Sequence, residues 1–372
     1  MFQINMKTII RACIFTLLIF QLCVNFTSAH VCPVEERAPP ETGLLVNCSG
    51  LGLSAIPNDF PRENVTLLDM SNNKLGRLKN GTFTGFNNLR NMSLSGNDVV
   101  GYSEGAFEGL DNLEQLDLSL NWMEEMLYPL CQDMPLLNNL SVFYAVLSNS
   151  VADDVFSDCT ELRTIYLVNS GLQDIRQIFS NLSKLESLYL SDTQTLTIQD
   201  PNAFENNPKL TVLDLRGMAS INGNRYDKLP SAITQIETLK TLRISKSAFT
   251  TFTKDDTRFF DQLTKLYATD NPFTCDCSTT DLITWMQDAE NIVDKDTWSC
   301  RANCANCPPD SYLMKDYNVK TCDGVVNVTG SIVVLVVIAV LACAAVAAVV
   351  VGVVVTKRRK MACFAVRSYA RM

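Results

Sequence analysis

The sequence predicts an α/β solenoid: a curved parallel β-sheet on the concave face, an irregular or 3-10 convex side, a cysteine-bearing cap at each end and one transmembrane helix. Three observations predict it. The segments "VTLLDMSNNKL" (Val65 to Leu75), "LRNMSLSGNDV" (Leu89 to Val99) and "LEQLDLSLNWM" (Leu113 to Met123) share the template L-x-x-L-x-L-x-x-N-x-L, and weaker copies start at Leu137, Leu162, Leu185, Leu210, Leu239 and Leu263. Cysteines bracket this array, Cys32 and Cys48 before it and Cys275, Cys277, Cys300 and Cys322 after it. Beyond them an uncharged apolar run, Ile332 to Val355, leads into "KRRK" (Lys357 to Lys360).

One copy could not stand alone in water, because a single alternating strand buries too little surface. Nine copies, stepping by 24, 24, 24, 25, 23, 25, 29 and 24 residues, bury that surface against one another. The template is the leucine-rich repeat signature. Its apolar positions point inward, and x-L-x-L-x pairs in parallel with the next coil, residues two apart sharing a face. Asn73, Asn97, Asn121 and Asn271 belong inside the turn that leaves the strand, where an amide satisfies backbone groups of two coils. Ser170, Thr193 and Ser247 can partly replace it. Ala145 and Met218 cannot, and the 29-residue step before Leu239 implies a bulge, so a less regular middle is expected. An aromatic six residues before most starts (Phe83, Phe107, Phe156, Phe179, Phe204) predicts a second apolar column under the convex side. Cys131 falls in that column and Cys159 three residues before Leu162; the frames are close but do not coincide, which leaves a bridge and two buried thiols both open.

The other elements follow in chain order. Lys7 and Arg11, the apolar stretch Ala12 to Val24 and small residues Thr27 to Ala29 make residues 1–29 a secretory signal peptide. Residues 30–64 form the N-terminal cap, in which Cys32 and Cys48 can close a loop and "LLV" (Leu44 to Val46) adds an edge strand. The repeats occupy 65–273 and the C-terminal cap 274–323, with an amphipathic helix carrying Leu282, Ile283, Trp285 and Met286. A stalk over 324–331 joins the 24-residue span at 332–355, which as a helix reaches about 36 Å, enough for a bilayer core. The basic residues that open the tail, 356–372, put the C-terminus in the cytosol, giving a type I protein at the plasma membrane. That tail is too short for a signalling domain, so any signalling runs through a co-receptor or other membrane partner.

Composition narrows the chemistry. The chain's net charge is −9; the signal peptide holds +2 and the tail +6, which leaves −17 on residues 30–331 and argues against nucleic acid as a general partner. Ten cysteines lie between signal and span, an even number that reads as disulfides in an oxidising compartment. Sequons at Asn47, Asn64, Asn80, Asn91, Asn139 and Asn181 are expected to carry N-glycans, whereas Asn327 lies too near the bilayer for efficient use. His30 is the sole histidine, which excludes Ser-His-Asp and Cys-His catalysis and multi-histidine zinc sites. "CANC" (Cys304 to Cys307) has redox spacing but no surrounding βαβ unit, and reads as a structural loop bridge. The acid pairs Asp153–Asp154 and Asp255–Asp256 read as solvated loops. No enzyme and no cofactor is expected.

The run "NPFTCDC", followed by Trp298, Cys300 and Cys322, resembles the C-terminal cap of extracellular leucine-rich repeat proteins. With the repeats and N-terminal cap, the chain resembles ectodomains of Toll-like receptors, variable lymphocyte receptors and neuronal leucine-rich repeat proteins over about Cys32 to Cys322. The resemblance implies pairing of Cys275 with Cys300 and of Cys277 with Cys322, and favours immune recognition. The N-terminal cap departs from the commoner four-cysteine form by having two, and "CANC" has no counterpart in the pattern.

A ligand site is expected on the concave strands. Outward positions are small or acidic in the early coils (Asp69, Ser71, Ser93, Ser95, Asp117, Ser119) and become Phe143, Tyr144, Tyr166, Val168 and Tyr189 further on. Arg216, Lys240, Arg243 and Lys246 lie beside them as a local basic strip. Tyr-rich patches are typical binding hot spots; the competing reading is that large side chains merely cover an irregular sheet. The function expected is a cell-surface receptor or co-receptor for an extracellular protein or glycoconjugate. A cell-adhesion molecule making trans or homophilic contacts is the alternative.

Overall fold

The structure, a computed structural model, describes residues 31–314 apart from 38–41, 124, 127–128, 145–149, 152–153, 171, 173–174, 176, 194–195, 197, 219–227, 276–278 and 303–310. The expected signal peptide, stalk, span and tail, with Ala145, Asn327, Cys277, Cys304, Cys307, Cys322 and the bulge before Leu239, lie outside the described residues. Among the described residues no helix is long and apolar enough to cross a membrane.

Strands run in chain order as β1 (Val34–Glu36), β2 (Leu44–Asn47), β3 (Val65–Asp69), β4 (Asn91–Ser93), β5 (Gln115–Asp117), β6 (Glu125–Met126), β7 (Asn139–Ser141) and β8 (Ser150–Val151), then β9 (Thr164–Tyr166), β10 (Ser187–Tyr189), β11 (Val212–Asp214), β12 (Thr241–Arg243) and β13 (Lys265–Tyr267). All but β6 and β8 form one sheet of 11 strands, parallel from β2 to β13. Short strands suffice because each coil meets the next in register. Leu68, Met92, Leu116, Leu140, Ile165, Leu188, Leu213, Leu242 and Leu266 sit side by side at the strand centres, none more than 3 % exposed. The small parallel pair β6–β8 is an addition the template does not foresee.

The turn asparagines act across coils. Asn121 Nδ2 donates to Leu94 O and to Leu118 O, both at 2.9 Å, while its Oδ1 accepts from Asn97 N and Val99 N. Asn271 repeats the pattern with Ile244 O, Ala268 O, Ser247 N and Phe249 N. Ser247 Oγ reaches Leu215 O at 2.9 Å and Thr193 Oγ1 reaches Leu167 O at 3.4 Å, so both carry part of the bridge. Ser170 Oγ is buried and has no partner among the described residues, contrary to the expected substitution: it does not reach a carbonyl of the neighbouring coil as Ser247 Oγ does.

Under the convex side Phe83 stacks on Phe107 and Phe156 on Phe179, with centroids 5.8 and 6.0 Å apart. Between the two pairs Cys131 is bridged to Cys159, Cα atoms 4.9 Å apart.

Each end is closed by different chemistry. At the N-terminus Cys32 bridges Cys48, and β1 pairs antiparallel with β2, so the sheet edge expected of "LLV" is taken by β1 instead. At the other end, after the short helices α1 (Ser231–Thr234) and α2 (Lys254–Phe260), come β14 (Phe273–Cys275), α3 (Thr280–Asp288), β15 (Ser299–Ala302) and β16 (Ser311–Leu313). Leu282, Ile283 and Met286 of α3 are buried, and Trp285 Nε1 donates to Asp261 Oδ1 at 2.7 Å. Cys275 bridges Cys300. Asp294 accepts from Trp298 Nε1 and from the amides of Ala268 and Thr269, which have no tenth coil to bond. Asp256 is not a solvated loop acid: it is 3 % exposed and forms a capping box with Thr253 at the start of α2, also accepting from Leu229 N. Its neighbour Asp255 is exposed and pairs with Arg258.

Candidate functional site on the concave face

Three template positions build this surface. The fifth follows each buried strand centre and faces away from the core. It reads Asp69, Ser93, Asp117, Ser141, Tyr166, Tyr189, Asp214, Arg243 and Tyr267 from coil to coil. The first four, with Asn91 and Asn139, line a hollow of about 320 Å³ that ends against Tyr166. From there the column rises into aromatics. Phe143, at the seventh position, stacks on Tyr166 (5.3 Å), and Tyr166 stacks on Tyr189 (4.4 Å). Burial first, then the charge and hydrogen bond of Tyr189, raise the Tyr166 pKa, so its hydroxyl stays protonated across the physiological range.

The column then changes character. Asp214 is fully buried and receives Arg216 Nε at 2.9 Å and Nη2 at 2.7 Å, while Arg243 Nη1 lies 3.8 Å away. The hydrogen bonds that Arg216 donates to Asp214 raise its pKa above the ordinary guanidinium value. Arg243 also lies over the Tyr267 ring, 5.1 Å from its centroid. The expected basic strip is therefore corrected: Arg216 and Arg243 share one buried carboxylate, which halves the charge they present, whereas Lys240 and Lys246 are exposed.

The eighth position is where the chain turns off the sheet, with left-handed backbone at Asn72, Gly96, Leu120, Tyr144, Asn169, Asp192, Gly217, Lys246 and Asp270. Gly, Asn and Asp accept this conformation readily; leucine, tyrosine and lysine do not. Gly217 is further required by space, since a Cβ there would stand 2.6 Å from Asp192 Oδ1. Yet Leu120 and Tyr144, in adjacent coils, hold φ of 56° and 53° with 55 % and 56 % of their surface exposed. Trp122, 59 % exposed, follows Leu120 on the same turn.

The structure thus brings Phe143, Tyr166 and Tyr189 into one stack with Tyr144 at its edge. Val168 is hardly presented there, being only 9 % exposed. Sequence reasoning missed Leu120, Trp122, Asp214 and Tyr267. Leu120 shares Tyr144's template position, and Asp214 and Tyr267 share Tyr189's, so reading whole columns would have found three of the four. Among the described residues no cluster of three or more His, Cys, Asp or Glu is placed to hold a metal ion.

A leucine rich repeat family model matches residues 63–123 and 149–217. Leucine-rich repeats are present over those residues. The repeat chain is 40 % identical to decorin of Bos taurus over 194 residues, covering 50 % of this chain and 49 % of decorin. It is 31 % identical to the thyrotropin receptor of Mus musculus over 129 residues, covering 32 % of this chain and 15 % of the receptor. The chain thus spans about half the length of decorin, and much less of the receptor. Among solved structures, human 5T4 (trophoblast glycoprotein) superposes with a TM-score of 0.50 at 21 % identity, over 74 % of this chain and 92 % of 5T4. The TLR13–ssRNA13 complex superposes with a TM-score of 0.54 at 19 % identity, over 70 % of this chain and 40 % of TLR13. At those identities the two structures establish a shared fold.

Proposed function

We propose that this repeat protein is a type I single-pass cell-surface receptor or co-receptor that binds an extracellular protein or glycoconjugate on its concave face. One observation carries the reading: Phe143, Tyr166 and Tyr189 form a continuous stack on the solvent side of the sheet, where the core has no need of them. Rigid aromatics beside a polar rim are the usual anchors of a protein interface. The strained, exposed Leu120 and Tyr144 extend the same surface, and retained strain is a mark of functional sites. We extend the reading to immune recognition on the resemblance of both caps to those of Toll-like and variable lymphocyte receptors. Binding is the whole of the activity proposed. Although the TLR13 structure holds a single-stranded RNA, Asp69 and Asp117 in the concave column oppose a polyanion here.

The test uses the chain ending at residue 331, which should be secreted in soluble form. Captured partners from cell surfaces and microbial preparations should lose binding to Y166A/Y189A, by about 2 kcal/mol per residue if both are hot spots. A double variant that folds and still binds a captured partner at full strength places the site elsewhere. Retention of the truncated chain on membranes refutes the single anchor. Aggregation of cells displaying the full chain, with no partner captured, would replace receptor by adhesion molecule.

A further inference from the structure

Three sequons fall on the concave face of the first coils. Asn91 and Asn139 occupy one template position on β4 and β7, each in register with Gln115 of β5 between them. At roughly 4.8 Å per strand their Cα atoms stand about 10 Å apart. Both line the 320 Å³ hollow. Asn47, at the end of β2, is in register with Asp69, the first residue of the outward column. A larger recess of about 960 Å³ flanks the same coils and is lined by Asn64 and Asn91. No sequon stands in β9 to β13, where the outward residues are Tyr166, Tyr189, Asp214, Arg243 and Tyr267.

The local geometry admits modification. Asn91 Nδ2 donates to Gln115 Oε1 at 3.1 Å; glycosylation replaces one of its two N–H bonds and leaves the other for that contact. In the Asn47 sequon the amide oxygen accepts from Ser49 N and Ser49 Oγ, contacts that do not involve the nitrogen. Glycans are bulky and hydrophilic, and here they would stand in a polar hollow with small walls rather than over the aromatic stack.

We propose that Asn47, Asn91 and Asn139 carry N-linked glycans that fill the concave face of the early coils and confine a protein partner to the aromatic stack that starts at Phe143 and to β9–β13 beyond it. In the transfer, Nδ2 forms a bond to the anomeric carbon of a lipid-diphosphate-linked oligosaccharide. The carbon–oxygen bond to the diphosphate breaks, and the amide proton leaves with it. The donor belongs to the secretory route, so the proposal rests on the cell-surface reading above. The consequence is a division of labour on one sheet: a sugar-covered half that repels protein and a bare aromatic half that binds it.

The secreted chain ending at residue 331 tests this by glycopeptide mass spectrometry and by thiol accessibility. Asn47, Asn91 and Asn139 should be occupied. In Asp117→Cys, between the two strand sequons, a polymer-linked maleimide should react several-fold more slowly than in the same variant carrying N91Q/N139Q. N-ethylmaleimide should react equally with both, and Thr241→Cys on β12 should be indifferent to the glycans. Empty sequons everywhere, Asn80 and Asn181 included, overturn the secretory reading along with this one. Occupied Asn80 and Asn181 with empty Asn47, Asn91 and Asn139 overturn this inference alone. So does a polymer rate at Asp117→Cys that glycan removal leaves unchanged.

Discussion

Tyr144 holds a backbone conformation that costs a side-chain-bearing residue about 1–2 kcal/mol, and it gains no core contact in return. Replacing it with Asn, which occupies the same position at Asn72 and Asn169, should stabilise the protein by about 1 kcal/mol in urea unfolding while weakening ligand binding. An unchanged affinity would show that Tyr144 is only a turn residue. The buried turn asparagines make the opposite case. Asn121 holds four backbone groups of two coils, and Asn121→Ala unpairs three of them, Leu94 O keeping its bond from Asn97 Nδ2; the expected loss is about 3 kcal/mol or more. Ser247→Ala forfeits contacts to Leu215 O and Ser245 O alone and should cost about 1 kcal/mol by the same measurement. Equal losses would mean that the asparagine's reach across two coils does not matter.

At the scale of elements, the bridge between Cys131 and Cys159 stands where the phenylalanine column is interrupted, joining the coil of β7 to the coil of β9. It closes a loop of 28 residues, for which chain entropy predicts about 3–4 kcal/mol. Cys131→Ser with Cys159→Ser should therefore lower stability by about 3 kcal/mol and open the middle coils to limited proteolysis before the ends. If cleavage begins in a cap instead, the bridge is not what holds the middle. The aromatic ladder on the other face of the same coils has a different task. Its rings are half-buried and touch one another rather than the core, so their loss is expected in binding more than in folding.

For the whole molecule, each coil touches chiefly its neighbours, so stability propagates along the sheet and fails first at an uncovered end. Ending the chain at Asp270 removes β14, α3 and the segment from Asn291 to Val293 that pairs with Leu266. Phe260, now packed against Trp285, and Leu266 would then face water. Such a chain should be retained in the cell or sediment as aggregates; its secretion as a monomer would show that the C-terminal cap is dispensable. The −17 charge on residues 30–331 acts at this scale as well, favouring solubility without choosing a ligand.

The sequence by itself determined which residues face in. Once Leu68, Met92 and Leu116 recur every 24 residues, period-two geometry puts them in one buried row and their followers in one exposed column. The asparagine turns, the phenylalanine column and the Phe143–Tyr166–Tyr189 patch were legible for that reason. What only the tertiary structure decided are relations between residues of neighbouring coils, set by distances of an ångström or two that no period carries. Asp214 came within reach of both Arg216 and Arg243, and Val168 is nearly covered at a position the template leaves open. Cys131 met Cys159 although their frames differ, and Asp256 turned inward to cap a helix. A repeat template specifies each coil against an average neighbour; burial and charge pairing depend on the particular one.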